Sequence, residues 1–222
     1  MNQSIVILGG SFDPVHQGHL KLALFIQEHF NIEQVLLLPC GTPALKKPCQ
    51  ADANHRRRML ELAIADFNGL VIDTHELTAS GPSYTIDALK YFRQQYGPQT
   101  SISFIIGEDA FADFMHWHQW QDILSYAHII NTRRLSLAKP YAQDLIDYIT
   151  AHRCQNPEKI KQSPNGCIYT LDFEDYPFSS TAIRNSIANQ QRPQGLEPQV
   201  FQYIQENHLY QVTNEQWDER LE

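Results

Sequence analysis

Hydrophobic positions along the chain follow two rhythms. Ile5-Val6-Ile7-Leu8 is an unbroken, largely β-branched apolar run that ends at Gly9-Gly10. Val35-Leu36-Leu37-Leu38 is another, stopped by Pro39. Short runs with no polar alternation predict strands buried on both faces, the habit of a parallel sheet. Leu70 to Ile72, Ser101 to Ile106 (ending at Gly107) and Ala127 to Asn131 predict three more. Between these runs the apolar positions recur at helical spacing. Leu20 to Phe30 carries Leu22, Phe25, Ile26 and Phe30, and Arg58 to Ala65 carries Met59, Leu60, Leu62 and Ala63. A further helix opens at Pro82-Ser83-Tyr84-Thr85, with Ser83 as the expected cap and Ile86, Leu89 and Phe92 on its apolar face.

The alternation of strand and helix predicts an α/β fold, a Rossmann-like parallel sheet with helices on both faces. From Lys139 to Asn165 the pattern is weak and polar, Ile168 to Phe173 reads as an edge strand, and Ser179-Ser180-Thr181 announces a helix over Ala182 to Ala188. A last amphipathic helix covers Val200 to Asn207. With no repeat and no linker, residues 1–222 read as a single domain whose C-terminal portion, from about 179, is helical. In such sheets ligands bind beyond the carboxyl ends of the strands, where the strand order reverses. Gly9-Gly10 and Gly107 both sit at such ends and are expected to line one crevice.

Composition narrows the partners. The 222 residues are 42% hydrophobic and 19% charged, with a formal net charge of −8. That balance belongs to a globular chain and argues against bulk nucleic-acid or membrane-surface binding. Any site for phosphates must gather its positive charge locally, from Lys46 and Lys47, Arg56 to Arg58, Arg133 and Arg134, or Arg184. Cys40, Cys49, Cys154 and Cys167 form no Cys-x-x-Cys pair, so they read as ordinary thiols of a reducing compartment, with neither a zinc site nor a disulfide framework. No signal peptide or membrane-length apolar stretch is apparent, and the expected location is the cytoplasm.

The candidate chemistry is concentrated between the first strand and the first helix, in Gly9-Gly10-Ser11-Phe12-Asp13-Pro14-Val15-His16-Gln17-Gly18-His19-Leu20. This is neither a dinucleotide fingerprint nor a P-loop. Glycines allow close backbone approach, and a helix N-terminus offers unpaired N–H donors to an anion. His16 and His19, three apart, share a helix face, and Gly18 between them is expected to leave room for a phosphate chain. Ser180 and Arg184, four apart at another helix start, form a second donor pair, with an N-cap as the alternative role for Ser180. A metal site built on the two histidines finds no third ligand at motif spacing.

The stretch resembles the His-x-Gly-His signature of the nucleotidyltransferase superfamily, and its Gly-Gly-Ser-Phe-Asp-Pro-x-His form is similar to that of bacterial nicotinate-nucleotide adenylyltransferases. Met59-Leu60-Glu61-Leu62-Ala63, Pro82-Ser83-Tyr84-Thr85, Phe104-Ile105-Ile106-Gly107-Glu108-Asp109, Trp117 and Ser179-Ser180-Thr181-Ala182-Ile183-Arg184 follow in the same order, covering residues 5 to about 206. The resemblance implies transfer of the adenylyl group of ATP to nicotinate mononucleotide, a step of NAD biosynthesis, with Mg2+ arriving on the ATP phosphates and no protein metal ligand. It assigns catalysis to His16, His19 and Arg184. ATP would meet Gly9, Gly10, Ser11, Phe12, Gly18, His19, Gly107, Asp109, Ser180, Thr181 and Arg184. Nicotinate mononucleotide would meet Thr85, Trp117, His118 and Lys46. Two departures stand out: Pro43-Ala44-Leu45-Lys46 lacks the histidine relatives often carry before the lysine, and His118 stands where tyrosine is common. The alternatives are a nicotinamide-mononucleotide or phosphopantetheine adenylyltransferase, or a non-catalytic nucleotide-binding module on the same scaffold. The first-histidine position disfavours the phosphopantetheine branch, which commonly carries threonine there. Oligomeric state is left open.

Overall fold

The computed structural model describes residues 4–44, 47–134, 141–173 and 176–211. In chain order the elements are β1 (Ser4–Gly10), α1 (Gln17–His29), β2 (Val35–Pro39), β3 (Thr42–Pro43), α2 (Ala53–Ile64), β4 (Leu70–Ile72), α3 (His75–Thr78), β5 (Pro82–Ser83), α4 (Thr85–Tyr96), β6 (Ser101–Gly107), α5 (Glu108–Ala112), β7 (His128–Arg134), α6 (Gln143–His152), α7 (Glu158–Gln162), β8 (Ile168–Phe173), α8 (Ser180–Ala188) and α9 (Pro198–Glu206). Two 3-10 turns, Phe114–His116 and Trp120–Ser125, connect α5 to β7.

The main sheet has six strands in the order β4-β2-β1-β6-β7-β8, and every neighbouring pair is parallel. From β1 the chain works outward to β2 and β4. It then crosses back to β6 and runs to β8, which is the edge strand expected of Ile168–Phe173. The order therefore reverses between β1 and β6, where Leu8 pairs with Ile105. Because side chains alternate along a strand, β1 feeds two cores. Val6 and Leu8 join Leu20, Ala23 and Ile26 of α1, Met59, Leu60 and Ala63 of α2, Ile183 of α8 and Val200 of α9. Ile5 and Ile7 join Ile86, Leu89 and Phe92 of α4 together with Phe111, Phe114 and Leu145. Helices thus cover both faces, as the continuous apolar runs require.

Helix starts differ from the expectation for a physical reason: caps, not the first apolar residue, set them. Asp52 accepts the His55 N–H at 2.8 Å, so α2 begins at Ala53 rather than near Arg58. Ser179 accepts the Ala182 N–H at 3.1 Å and caps α8, so the cap role weighed for Ser180 falls to its neighbour. Ser83 does not cap α4; Tyr84 holds that position, and the Ser83 hydroxyl instead accepts the Gly41 N–H at 2.9 Å. The weak stretch after Lys139 contains two helices, α6 and α7. Among the described residues no helix is long and apolar enough to cross a membrane.

Candidate functional site

The loop that leaves β1 is shaped by aromatic packing. Phe12, at φ 48°, turns the chain and buries its whole side chain. A Cβ on Gly10 would come within 3.2 Å of that ring, and one on Gly9 within 2.6 Å of Phe104 Cζ. Both glycines thus make room for phenyl rings as well as for any ligand. Phe12 was expected among the ATP contacts. Its side chain is wholly buried, and the ring supports the candidate site from beneath, edge-on to His19 at 4.9 Å.

Asp13 anchors the loop. Its carboxylate accepts the Gln50 N–H at 2.8 Å, the Ala51 N–H at 3.1 Å and the Tyr210 hydroxyl at 2.8 Å. Burial, then the charge of Asp13, pushes the Tyr210 phenol above its ordinary range. No role for Asp13 is legible in the sequence, because its partners lie far along the chain and leave no local signal.

His16 precedes α1 and is 8% exposed; His19 is half-buried in the first turn. Their rings stack with centroids 3.8 Å apart. The His16 N–H donates to His19 Nδ1 at 3.2 Å. An Nδ1 that accepts leaves the proton of a neutral imidazole on Nε2, so His19 presents its Nε2–H as a donor. A Cβ on Gly18 would lie 3.0 Å from His16 Nδ1. The space that glycine makes adjoins the His16 imidazole.

The start of α8 docks on this loop. Ser180 Oγ donates to the Pro14 carbonyl at 2.9 Å, and Arg184 Nη1 donates to the Asp13 carbonyl at 2.6 Å while standing 3.9 Å from its carboxylate. Arg184 Nη2 donates to the hydroxyl of exposed Thr181 at 3.2 Å. Its Nε is enclosed with no hydrogen-bond partner among the described residues. Two helix starts, one bearing paired imidazoles and one bearing a guanidinium, therefore meet across residues 13 and 14.

A cleft of about 550 Å³ opens at the carboxyl ends of β1 and β6; it meets this loop at Ser11, two residues before Asp13, and His16, His19, Ser180 and Arg184 are not among the residues that line it. Gly9, Gly10, Ser11, Thr85, Gly107, Trp117 and His118 line it. Its volume suits a small ligand, and it lies where the strand order reverses. A hollow of about 740 Å³ around Ser4, Asn31 and Lys161 sits at the amino end of the sheet, away from every residue singled out for chemistry. Trp117 packs on Phe114 at 5.7 Å and His118 on Tyr84 at 4.5 Å. Thr85 opens α4, where backbone N–H groups lack helical partners. Glu76 also lines the cleft, its carboxyl pushed up by burial. The exposed Asp109 lies in α5, just after Gly107 at the carboxyl end of β6. Lys46, like Leu45, lies outside the described residues.

Arg56 is named with Arg57 and Arg58 above as one local source of positive charge. The structure separates them. Arg57 and Arg58 are exposed and pair with Glu61, whereas Arg56 is 2% exposed. The signal was its place on the apolar stripe of α2, three, four and seven residues before Met59, Leu60 and Ala63. Among the described residues no group of three or more His, Cys, Asp or Glu side chains is arranged to hold a metal ion.

Comparison with known proteins follows the same outline. A cytidylyltransferase-like family model matches residues 7–186. A probable nicotinate-nucleotide adenylyltransferase of Acidithiobacillus ferrooxidans is 36% identical over 212 residues, covering 95% of this chain and 97% of that relative. A nicotinate-nucleotide adenylyltransferase of Escherichia coli is 37% identical, covering 92% and 97% respectively. Among solved structures, a nicotinic acid mononucleotide adenylyltransferase of Plasmodium falciparum complexed with NaAD superposes with a TM-score of 0.70 at 20% identity. It covers 94% of this chain and 97% of that one, a likeness of fold.

Proposed function

The chain belongs to the cytidylyltransferase-like family, within its nicotinate-nucleotide adenylyltransferases, and from that premise we propose how its residues carry out the transfer. The protein transfers the adenylyl group of ATP to nicotinate mononucleotide, giving nicotinate adenine dinucleotide and pyrophosphate. A phosphate oxygen of the mononucleotide attacks the α-phosphorus of ATP, and the bond to the β-phosphate oxygen breaks. A phosphate monoester is mostly dianionic at neutral pH, its second pKa being about 6, so the nucleophile needs no base. The protein must align the two phosphates and offset the charge that develops on the leaving pyrophosphate.

In this reading His19 donates through Nε2 to the α- and β-phosphates, with His16 stacked beside it. Arg184, Ser180 and Thr181 receive the β- and γ-phosphates. Gly107 and Asp109 take the adenosine, the first by close backbone approach and the second through the ribose hydroxyls. Gly9, Gly10 and Ser11 carry the chain between the two substrates. Trp117 stacks on the pyridine ring, and the backbone at Thr85 and His118 meets the nicotinate carboxylate. Lys46 adds positive charge to the mononucleotide side. Mg2+ would accompany ATP, held by its phosphate oxygens rather than by a protein group, and would offset part of their charge. The protein works in the cytoplasm. The observation that carries this reading is the docking of Ser180 and Arg184 on Pro14 and Asp13, which joins both donor sets on the loop that the cleft meets at Ser11.

The test is pyrophosphate release from MgATP with nicotinate mononucleotide and nicotinamide mononucleotide in parallel. Turnover with the first is expected. Turnover with the amide alone would replace the named acceptor, and turnover with neither would remove the reading.

A further inference from the structure

Carboxyl ends of parallel strands point carbonyl oxygens outward. A polyphosphate laid across them meets partial negative charge, and this chain adds a net charge of −8. The carbonyls immediately beyond β1 and β2 are capped here. Arg56 Nη1 donates to the Ser11 carbonyl at 2.9 Å and to the Cys40 carbonyl at 2.7 Å, and Nη2 donates to the Gly41 carbonyl at 3.3 Å. Ser11 and Cys40 line the cleft, so the guanidinium lies beneath its floor.

What makes this arginine unusual is what it does not meet. It is 2% exposed, its Nε is enclosed without a hydrogen-bond partner, and among the described residues no carboxylate pairs with it. Asp13, whose charge acts on the same Cys49 thiol, is engaged by two backbone N–H groups and Tyr210, and the buried Glu76 carboxyl is pushed up by burial. A buried cation without a counter-ion is unfavourable unless something anionic comes close. Its field reaches the surroundings, since it helps hold down the thiol of Cys49 and opposes the rise at Cys40.

Resting on the adenylyl-transfer reading, we propose that Arg56 is a positioning residue for the triphosphate: it fixes the carbonyls that end β1 and β2 and supplies, from beneath the loop, buried positive charge for which the nucleotide is the counter-ion. It touches no substrate and acts through the loop that carries Ser11.

Arg93 supplies the control. It clamps carbonyls in the same manner, donating to Gly97 at 3.0 Å, Thr100 at 2.7 Å, Pro164 at 3.0 Å and Tyr126. Those carbonyls lie near the amino ends of β6 and β7, away from the cleft. The experiment measures MgATP affinity by calorimetry, without the second substrate, for wild type, Arg56→Lys, Arg56→Gln and Arg93→Gln, alongside melting temperatures. Arg56→Gln is expected to bind MgATP about tenfold or more weakly, and Arg56→Lys, which keeps the charge but not the fork, within about threefold of wild type. Arg93→Gln is expected to melt earlier with unchanged MgATP affinity. MgATP affinity in Arg56→Gln within about twofold of wild type overturns the proposal. So does a loss in Arg56→Lys as large as in Arg56→Gln, or an equal loss in Arg93→Gln. Should Arg56→Gln not fold, Arg56→Lys decides alone: retained affinity with lowered kcat and stability supports the charge role, and lost affinity refutes it. Wild-type turnover with nicotinate mononucleotide is measured separately, so failure of the functional reading is distinguishable from failure of this one.

Discussion

Replacing Asp13 by asparagine keeps the shape of a buried side chain and removes its charge. Oδ1 accepts from Ala51 N–H and Tyr210 hydroxyl, and Oδ2 accepts from Gln50 N–H. An amide has one oxygen, so its NH2 must face a donor on one side. The less costly orientation keeps the oxygen on Ala51 and Tyr210 and sets NH2 against Gln50 N–H. One charge-assisted hydrogen bond is then lost, about 1.5–3 kcal/mol, and the Gln50 donor is left unsatisfied. The other two weaken from charged to neutral acceptors, together about 1–2 kcal/mol more. The expected loss is about 2.5–5 kcal/mol, a large part of the usual stability of a domain. At about 2–4 °C per kcal/mol for a chain of this size, melting should fall by roughly 10 °C.

The assay is a thermal melt with a denaturant titration, and the partners give it a second reading. Tyr210→Phe removes only the hydroxyl donor, so the double variant should lose less than the sum of the two singles, with a coupling of about 0.5–3 kcal/mol. The Arg184 bond to residue 13 is to the backbone carbonyl and survives the change, so kcat should fall less than stability. A melting temperature within about 2 °C of wild type, or strictly additive losses, would refute the account of Asp13 as the anchor of the loop.

Three other outcomes are expected. His19→Ala should lower kcat by roughly 10²–10³ while the melting temperature stays near wild type, since a half-buried donor is lost rather than a core side chain; turnover close to wild type would contradict its role. Gly9→Ala should destabilise by about 1–3 kcal/mol in a denaturant titration, because the added carbon lies 2.6 Å from Phe104 Cζ; pairing it with Phe104→Leu should recover part of the loss. Cys49, whose thiol is brought down to about 7 chiefly by the Cys40 thiol it faces, should alkylate with a rate that rises through about pH 7 and flattens above it. The thiolate is the reactive form, so thiol reactivity is present above that pH and lost below it; a midpoint near 9 by site-resolved mass spectrometry would contradict the shift.

The strand runs and the helix periodicity were readable because both depend on local alternation. Ile5 to Leu8 and Val35 to Leu38 are strands in the structure, with edges within a residue or two. Helix starts were less readable, because a capping side chain sits ahead of the periodic residues that reveal the helix. Asp52 and Ser179 set the first turns of α2 and α8, and neither is apolar. At the site, the histidines and the serine–arginine pair were readable from spacing within a turn. Asp13 and Arg56 were not, for opposite reasons. Asp13 is held by Gln50, Ala51 and Tyr210, contacts only folding brings together. Arg56 was visible but masked by its company: three consecutive arginines look like a solvated face until the 100° step per residue turns one of them inward.

The glycines of the candidate site show how space for a ligand can be written in core packing. Spacing alone suggests that each glycine clears space for the ligand. In the structure, added carbons at Gly9, Gly10 and Gly18 meet Phe104, Phe12 and His16, at 2.6, 3.2 and 3.0 Å. At Gly107 the nearest atom is the Thr132 hydroxyl oxygen, 4.0 Å away. Three of these glycines therefore let aromatic and imidazole rings close in, and those rings set the position of His19, which leans on Phe12 and stacks on His16. Only at Gly107 is the missing side chain's volume left open, which is the geometry a ligand approaching the backbone requires. It follows that a methyl group at Gly18 should act on catalysis through His16, lowering kcat more than it raises the KM for ATP, whereas a methyl group at Gly107 should do the reverse. Matching effects at the two positions would mean that the rings and the ligand do not divide the glycines between them in this way.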